Sequence, residues 1–169
     1  EDFNLNIPKF DSDAHSPIYA IGDGWCVFAG WKPVWGQLVV TKHVLEDGTP
    51  IWARYAHVEN MRVRFMDKVE RGQQIANVGN ADNRYPFHLH FDVARIDLGL
   101  KPGDWPGDNL ARVKRDYYDP LAFIRQFALQ NSPQAAKPDV VRVITERLNI
   151  RAKPTVQSKV VDVLLRGQE

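Results

Sequence analysis

The sequence lacks three features that would assign it directly to a class of protein: paired cysteines, a long apolar run and an excess of charge of one sign. It holds a single cysteine, Cys26, so no internal disulfide can form and cysteine usage does not report the compartment. No apolar run approaches the ~20 residues that a membrane-spanning helix needs. Charge of one sign is not in excess either, because 22 Lys and Arg residues oppose 21 Asp and Glu residues. We therefore expect no disulfide framework and no membrane span, and the charge gives no electrostatic case for nucleic acid.

Short β-like segments separated by turn residues fill the chain from about residue 18 to residue 95. Glycine-containing turns at 22–24, 46–49 and 71–72 divide these segments. Many short strands at regular spacing predict a mainly β fold, built as an antiparallel sheet or sandwich. Further along, Asp119 followed by Pro120 predicts the start of a C-terminal helix, with Asp119 as its N-cap.

The stretch 87–93, Phe-His-Leu-His-Phe-Asp-Val, carries the most chemical information. On a strand, alternate side chains face the same way, so His88, His90 and Asp92 share one face and the apolar residues face the core. Two imidazoles one strand repeat apart can hold a metal ion and a proton-transfer group. Taken alone, the pattern also fits two half-exposed histidines on a strand edge.

The order and surroundings of these residues resemble the lysostaphin-type (LytM-type) zinc metallopeptidases, which cut the peptides of peptidoglycan. The resemblance covers roughly residues 1–95 and rests on several motifs in the right order, at 17–24, 36–43, 55–57, 69–79 and 87–91. It implies a duplicated hybrid motif in the peptidase core, followed by the C-terminal helix and a small β appendage. It also implies an extracytoplasmic protein that is secreted, periplasmic or associated with the cell wall, and we expect a monomer.

The same resemblance assigns roles to four residues. Asp2 and His90 match two of the zinc ligands of the family, and His57 and His88 match its two histidines that do not bind the metal. Asp92 stands where the family usually has glutamate. Zinc with three protein ligands keeps a fourth position for water and lowers the pKa of that water towards ~7. The two other histidines would then move protons or stabilise developing charge.

One ligand of the family's set has no counterpart in the chain. The first histidine would precede Glu1, and His15 does not replace it because Tyr19 stands four residues on, where an aspartate is needed. Asp2 is expected to be poorly ordered, as terminal residues are unless tied down. The resemblance therefore implies an incomplete metal motif, and we expect these 169 residues alone to bind zinc weakly and to be nearly inactive.

Three functions from different classes remain open at this point. The first is a zinc-dependent endopeptidase that hydrolyses peptide bonds of peptidoglycan. The second is a non-catalytic module of the same fold that binds the wall or activates a cell-wall hydrolase. The third is a sugar-phosphotransferase carrier domain, because residues 69–79 resemble the hybrid turn of that fold. Such carriers need a nucleophilic histidine but no aspartate ligand.

The resemblance implies the domain organisation, and the composition of residues 131–138 indicates a linker. We expect a peptidase domain over residues 1–130, a linker over 131–138 and a partial module over 139–169. Residues 148–154 and 158–167 resemble the start of a bacterial Src-homology-3-like wall-binding module, although a β appendage without that role fits equally. Within the first domain, residues 80–85 are expected to form a loop beside the site, and residues 103–107 are expected to be a surface turn without assigned chemistry.

Overall fold

A computed structural model describes residues 2–4, 9–101, 104–130, 147–151 and 160–165. The chain divides into two compact units, Glu1–Phe127 and Ala128–Glu169. The elements in chain order are β1 (Asp2–Phe3), β2 (Pro17–Tyr19), β3 (Gly24–Lys32), β4 (Gly36–Val44), β5 (Pro50–Glu59), β6 (Lys68–Val69), β7 (Gln74–Val78), β8 (Leu89–Ala94), α1 (Leu110–Asp116), β9 (Tyr117–Tyr118), α2 (Pro120–Gln130), β10 (Arg147–Arg151) and β11 (Val160–Leu165).

Within the described residues, strands β1 to β9 form one open, antiparallel sheet. Its main path runs in the order β1-β8-β5-β4-β3-β6, while β7 pairs with β2 and β5, and β9 pairs with β8. This arrangement confirms the mainly β, antiparallel fold class. In the second unit, β10 and β11 form an antiparallel pair. The predicted linker over 131–138 lies outside the described residues, and the wall-binding module stays a prediction.

The sheet carries a buried apolar cluster on each face, and the larger one is the main core. On β5, Ile51, Ala53 and Tyr55 are buried in the main core, as are Phe91 and Val93 of β8. The residues between them on β5 and β8 project to the opposite side, which we call the open face. The open face carries every functional side chain described below.

The core also contains the single cysteine and receives the C-terminal helix. Cys26 is fully buried, and burial raises the pKa of its thiol to about 11, so the thiol stays protonated and structural. At the start of α2, the Asp119 carboxylate accepts a hydrogen bond from the Ala122 backbone N–H at 2.9 Å, as the capping prediction requires. Phe123 and Phe127 of α2 then pack on the core.

The turn predicted at residues 71–72 is present, because the Gln73 backbone N–H donates to the Glu70 carbonyl at 2.9 Å and Gly72 has a φ of 76°. Helix α1 was not predicted. Its N-terminus is capped by Asn109, whose side chain accepts a hydrogen bond from the Arg112 backbone N–H at 3.1 Å.

Candidate active site

Strand β8 brings the sequence-predicted site residues together on the open face. Its neighbour on one side is β1, where Asp2 lies opposite His90, and its neighbour on the other side is β5, where Ala56 lies opposite His90. His57 follows Ala56 on β5, and His88 directly precedes β8. Three strands that are distant in sequence therefore place Asp2, His57, His88 and His90 around one cleft.

The Asp2 carboxylate lies against the His90 ring. The His90 Nδ1 and Asp2 Oδ1 atoms are 2.7 Å apart, so a neutral or charged imidazole donates its Nδ1–H to the carboxylate. Asp2 is a paired strand residue, which differs from the poorly ordered terminus that the sequence predicted. The other ring nitrogen, His90 Nε2, is buried without a hydrogen bond and lies 3.5 Å from Asp92 Oδ2.

The His57 side chain is held by the backbone of Trp35. Both the His57 backbone N–H and its Nδ1 lie near the Trp35 carbonyl oxygen, at 3.0 and 3.1 Å. Nδ1 therefore carries the proton and donates it to that carbonyl, which leaves Nε2 with a free lone pair. His57 adopts a φ of 60°, and a Cβ at Gly79 would lie 2.5 Å from the His57 carbonyl oxygen. Only glycine at 79 permits this close approach.

His57 and His88 form a pair of neighbouring imidazoles. Their ring centroids are 4.7 Å apart, and His88 donates its Nδ1–H to the Pro86 carbonyl at 2.8 Å. Burial, and then the repulsion of charge on His88 and His90, lowers the pKa of His57 to about 4. The His57 ring is therefore neutral at pH 7, and its Nε2 is able to accept a proton.

Two tryptophans pack edge-on against His90. The Trp35 ring centroid lies 5.2 Å from that of His90, and the Trp105 centroid lies 4.8 Å from it. Trp105 belongs to the segment for which the sequence assigned no chemistry, and its ring contact with His90 places it beside the site. These two rings restrict the orientation of His90 and exclude water from its buried edge.

Behind the tryptophans, Arg54 and Asp92 form a buried ion pair on neighbouring strands. Arg54 Nε donates to both Asp92 oxygens, at 2.8 and 3.1 Å, and both side chains are 5% exposed. Arg54 Nη2 also donates to the Tyr117 hydroxyl at 2.8 Å. The guanidinium centre lies 5.4 Å from the Trp35 ring and 5.5 Å from the Trp105 ring. Arg54 thereby fixes the residues that hold His90.

Breaking this ion pair is expected to destabilise the fold. In Arg54→Met, Asp92 would remain as a buried charge without its partner, which costs roughly 3–5 kcal/mol. Urea denaturation measures the free energy of unfolding. Arg64→Met removes an exposed arginine as a control and should stay within about 0.5 kcal/mol of the unmodified chain. An Arg54→Met variant as stable as that control would show that the pair is not structural.

The loop between β7 and β8 forms the other side of the site, as the sequence predicted for residues 80–85. Tyr85 packs on the His57 ring at a centroid distance of 4.9 Å and on the His88 ring at 6.0 Å. The loop is fixed to the β3–β4 hairpin, because Trp31 Nε1–H donates to Asp82 Oδ2 at 3.0 Å. This connection holds Tyr85 over the histidine pair.

The cleft offers the kinds of donor atom that zinc binds, a carboxylate oxygen and an imidazole nitrogen. Asp2 supplies an oxygen and His90 a nitrogen, and Asp92 lies next to the second nitrogen of His90, where a metal-bound histidine usually has a carboxylate partner. In the part of the chain that the structure describes, however, no group of three or more His, Cys, Asp or Glu side chains is placed to hold a metal ion. The described residues thus offer two ligands of the expected three.

Comparison with known proteins identifies the family. The model of peptidase family M23 matches residues 8–102, which is more than half of the chain. The chain belongs to peptidase family M23. The matched region contains His57, His88 and His90, whereas Asp2 and Trp105 lie outside it.

The relatives of the M23 domain include proteins named as endopeptidases and a protein named as a hydrolase activator. The peptidoglycan DD-endopeptidase ShyA of Vibrio cholerae is 35% identical over 78 residues, which are 46% of this chain and 17% of that protein. The murein hydrolase activator EnvC of Escherichia coli is 29% identical over 90 residues, which are 53% of this chain and 20% of that protein. The matched region is only about a fifth of the length of either relative.

Solved structures similar to this chain support the fold. The catalytic domain of lysostaphin from Staphylococcus simulans has a TM-score of 0.50 and 24% identity, covering 73% of this chain and 76% of that domain. LytU has the same TM-score and identity, covering 74% of this chain and 70% of its own. At this level of identity the likeness shows a common fold. None of the described helices is long and apolar enough to cross a membrane.

Proposed function

We propose that this M23 domain is a zinc-dependent endopeptidase that hydrolyses peptide bonds of bacterial peptidoglycan outside the cytoplasm. The observation that carries the proposal is the convergence of His57, His88, His90 and Asp2 in one cleft on the open face. Membership of peptidase family M23 and the similarity to ShyA, which is named as a peptidoglycan DD-endopeptidase, support peptide-bond hydrolysis. Asp2 and His90 are the proposed zinc ligands.

The residues around the cleft have complementary tasks. When bound, zinc would lower the pKa of a water molecule and polarise the carbonyl of the scissile peptide. His57 and His88 each have Nδ1–H fixed by a backbone carbonyl, so each keeps Nε2 for proton transfer. One of them accepts a proton from the attacking water, and the leaving amine receives a proton as the C–N bond breaks. Tyr85 limits the access of bulk water to the pair.

The second candidate is a module that activates a separate cell-wall hydrolase. The name of the relative EnvC, a murein hydrolase activator, favours it. The sugar-phosphotransferase carrier is disfavoured by the family and by Asp2 beside His90, because such carriers use no aspartate ligand. The two remaining functions differ in whether the protein itself cuts a bond.

Digestion of purified peptidoglycan distinguishes them. A form of the protein that carries the family's full set of zinc ligands, incubated with zinc, is expected to release peptides whose new amino and carboxyl termini are identified by mass spectrometry. A metal chelator should stop their release. If no new termini form, but a separate cell-wall hydrolase becomes faster when the protein is added, the protein is an activator and the endopeptidase proposal is wrong.

A further inference from the structure

A row of alternating lysine and tryptophan side chains crosses the sheet at a distance from the histidines. Lys68 of β6 pairs with Trp25 of β3, Trp25 pairs with Lys42 of β4, and Lys42 pairs with Trp52 of β5. Directly opposed residues on antiparallel strands project to the same face. The four side chains therefore form one continuous line across four strands, which we call the Lys–Trp row.

The Lys–Trp row lies on the open face, the same face as the candidate active site. Val69, which follows Lys68, and Ile51 and Ala53, which flank Trp52, all belong to the core on the other side. Along β5, Trp52 precedes Ala56, the residue opposite His90, by four positions. At about 3.3 Å per residue the row lies about 13 Å from the histidine cleft. Leu38, Val40 and Ala56 pack against Trp35, Leu100 and Trp105 on this face between the row and the cleft. An extended peptide of four or five residues that joins the two would therefore lie over this apolar cluster.

The two lysines of the row have no acidic partner. Among the described residues, no carboxylate lies within ion-pair distance of the Lys42 or Lys68 ammonium groups. Lys42 Nζ lies instead 5.3 Å from the centre of the Trp52 ring. Trp25 is 52% exposed, which is a large exposed area for the bulkiest apolar side chain. The row thus offers unneutralised positive charge between aromatic surfaces.

Part of the row lines a recess. A depression of about 210 Å³ is bordered by Lys42, Trp52, Arg54 and the acidic Asp97. Arg54 is already paired with Asp92, so among the described residues Lys42 is the cation of the recess that has no ion-pair partner. Lys42 and Trp52 are partly exposed and line this depression, whereas Trp25 and Lys68 lie outside it. A strand of polymer can enter such a recess, whereas a lipid surface would contact only the protruding side chains of the row, such as Trp25. The recess therefore favours a strand of polymer as the occupant.

We propose that the Lys–Trp row binds a carboxylate-bearing strand of the peptidoglycan peptide that extends from the cleft. The inference deepens the proposed function and rests on it for the choice of polymer. Peptidoglycan peptides carry free carboxylates, which the two ammonium groups attract, and apolar side-chain or sugar faces, which the tryptophan rings cover. The row would then position the substrate and favour peptides with acidic residues on one side of the cut bond.

The test uses soluble disaccharide-peptides released from peptidoglycan, added to the whole chain in the presence of a metal chelator so that no turnover occurs. NMR spectra of the tryptophan indole N–H groups report binding and give the dissociation constant. We expect the Trp25 and Trp52 signals to shift. We expect Lys42→Glu to weaken binding about tenfold, because it removes one attraction and adds one repulsion. Raising the salt concentration to about 0.5 M should weaken binding of the disaccharide-peptides by the unmodified protein to a similar extent.

Matched controls separate the row from general surface effects. Lys114→Glu reverses an exposed charge on α1, and Phe65→Ala removes an exposed aromatic side chain outside the row. Neither should change the dissociation constant, whereas Trp25→Ala should weaken binding several-fold. Thermal unfolding followed by circular dichroism confirms that each variant is folded.

Three results would overturn the inference. The first is no binding by the unmodified protein, and the second is equal binding by Lys42→Glu and Lys114→Glu. The third is Lys42-dependent binding to vesicles of phosphatidylglycerol without binding to disaccharide-peptides, which would assign the row to a membrane. If the row binds as expected but peptidoglycan digestion yields no new termini, the endopeptidase proposal fails and the binding site stands.

Discussion

In a form of the protein that carries the family's full set of zinc ligands, replacing His57 with alanine is expected to lower peptidoglycan hydrolysis by about 10²–10⁴-fold while leaving zinc binding unchanged. The reason lies in the geometry of the ring. The Trp35 carbonyl fixes the proton on Nδ1, and burial with its two histidine neighbours lowers the pKa of His57 to about 4, so Nε2 stays an unprotonated base at pH 7. Alanine removes that base without touching the Asp2–His90 pair.

Initial rates of peptide release and the zinc content of each protein are measured side by side. His15→Gln serves as the matched control, because the His15 side chain is 66% exposed and bonds Glu59 outside the cleft. It should keep nearly full activity. A His57→Ala protein with full activity would remove His57 from the mechanism. Loss of zinc from His57→Ala would instead assign His57 as a ligand.

Local patterns in the sequence were sufficient to predict the part of the site that lies on one strand. Alternation along residues 87–93 correctly placed His88, His90 and Asp92 on one face and Phe91 and Val93 in the core. The Asp-Pro signal likewise gave the start of α2. Such predictions succeed because side-chain direction along a strand depends only on the backbone repeat.

Contacts between distant segments were not predictable in the same way. Trp105 lies in a stretch of turn residues, and nothing local to it indicates that it packs against His90. The Arg54–Asp92 pair had a usable signal, since each is a lone charge within a strand whose neighbours are apolar. A charge in that setting must be paired when buried. The register that brings the two together is set by strand pairing across 38 residues.

The position of Asp2 was also not predictable from local sequence. As a residue near the start of the chain it was expected to be poorly ordered, yet β1 pairs with β8 and places the Asp2 carboxylate 2.7 Å from His90 Nδ1. The energy that orders β1 comes from a strand edge almost 90 positions away. Phe3 adds to it by packing edge-on against Phe91 at a centroid distance of 6.1 Å.

His90→Ala is expected to abolish zinc binding and hydrolysis together while the sheet still folds. Among the described residues, His90 and Asp2 are the proposed zinc donors, and removing a direct ligand should weaken zinc binding by more than the roughly 10–100-fold that loss of a supporting residue causes. Zinc binding should also be detectable without turnover. In the metal-free protein the His90 Nδ1–H is directed at Asp2, and if Nδ1 held the metal, the neutral ring would carry its proton on Nε2, which faces Asp92.

Zinc titration by calorimetry and ¹⁵N NMR of the histidine rings measure these two effects. Because alanine leaves space between Trp35 and Trp105, a His90→Gln variant retains more of the packing and tests whether the loss is one of ligation. Both variants should lose zinc, and only His90→Ala should lose appreciable stability. If either variant binds zinc as tightly as the unmodified protein, His90 is not a ligand, and another group must hold the metal opposite Asp2.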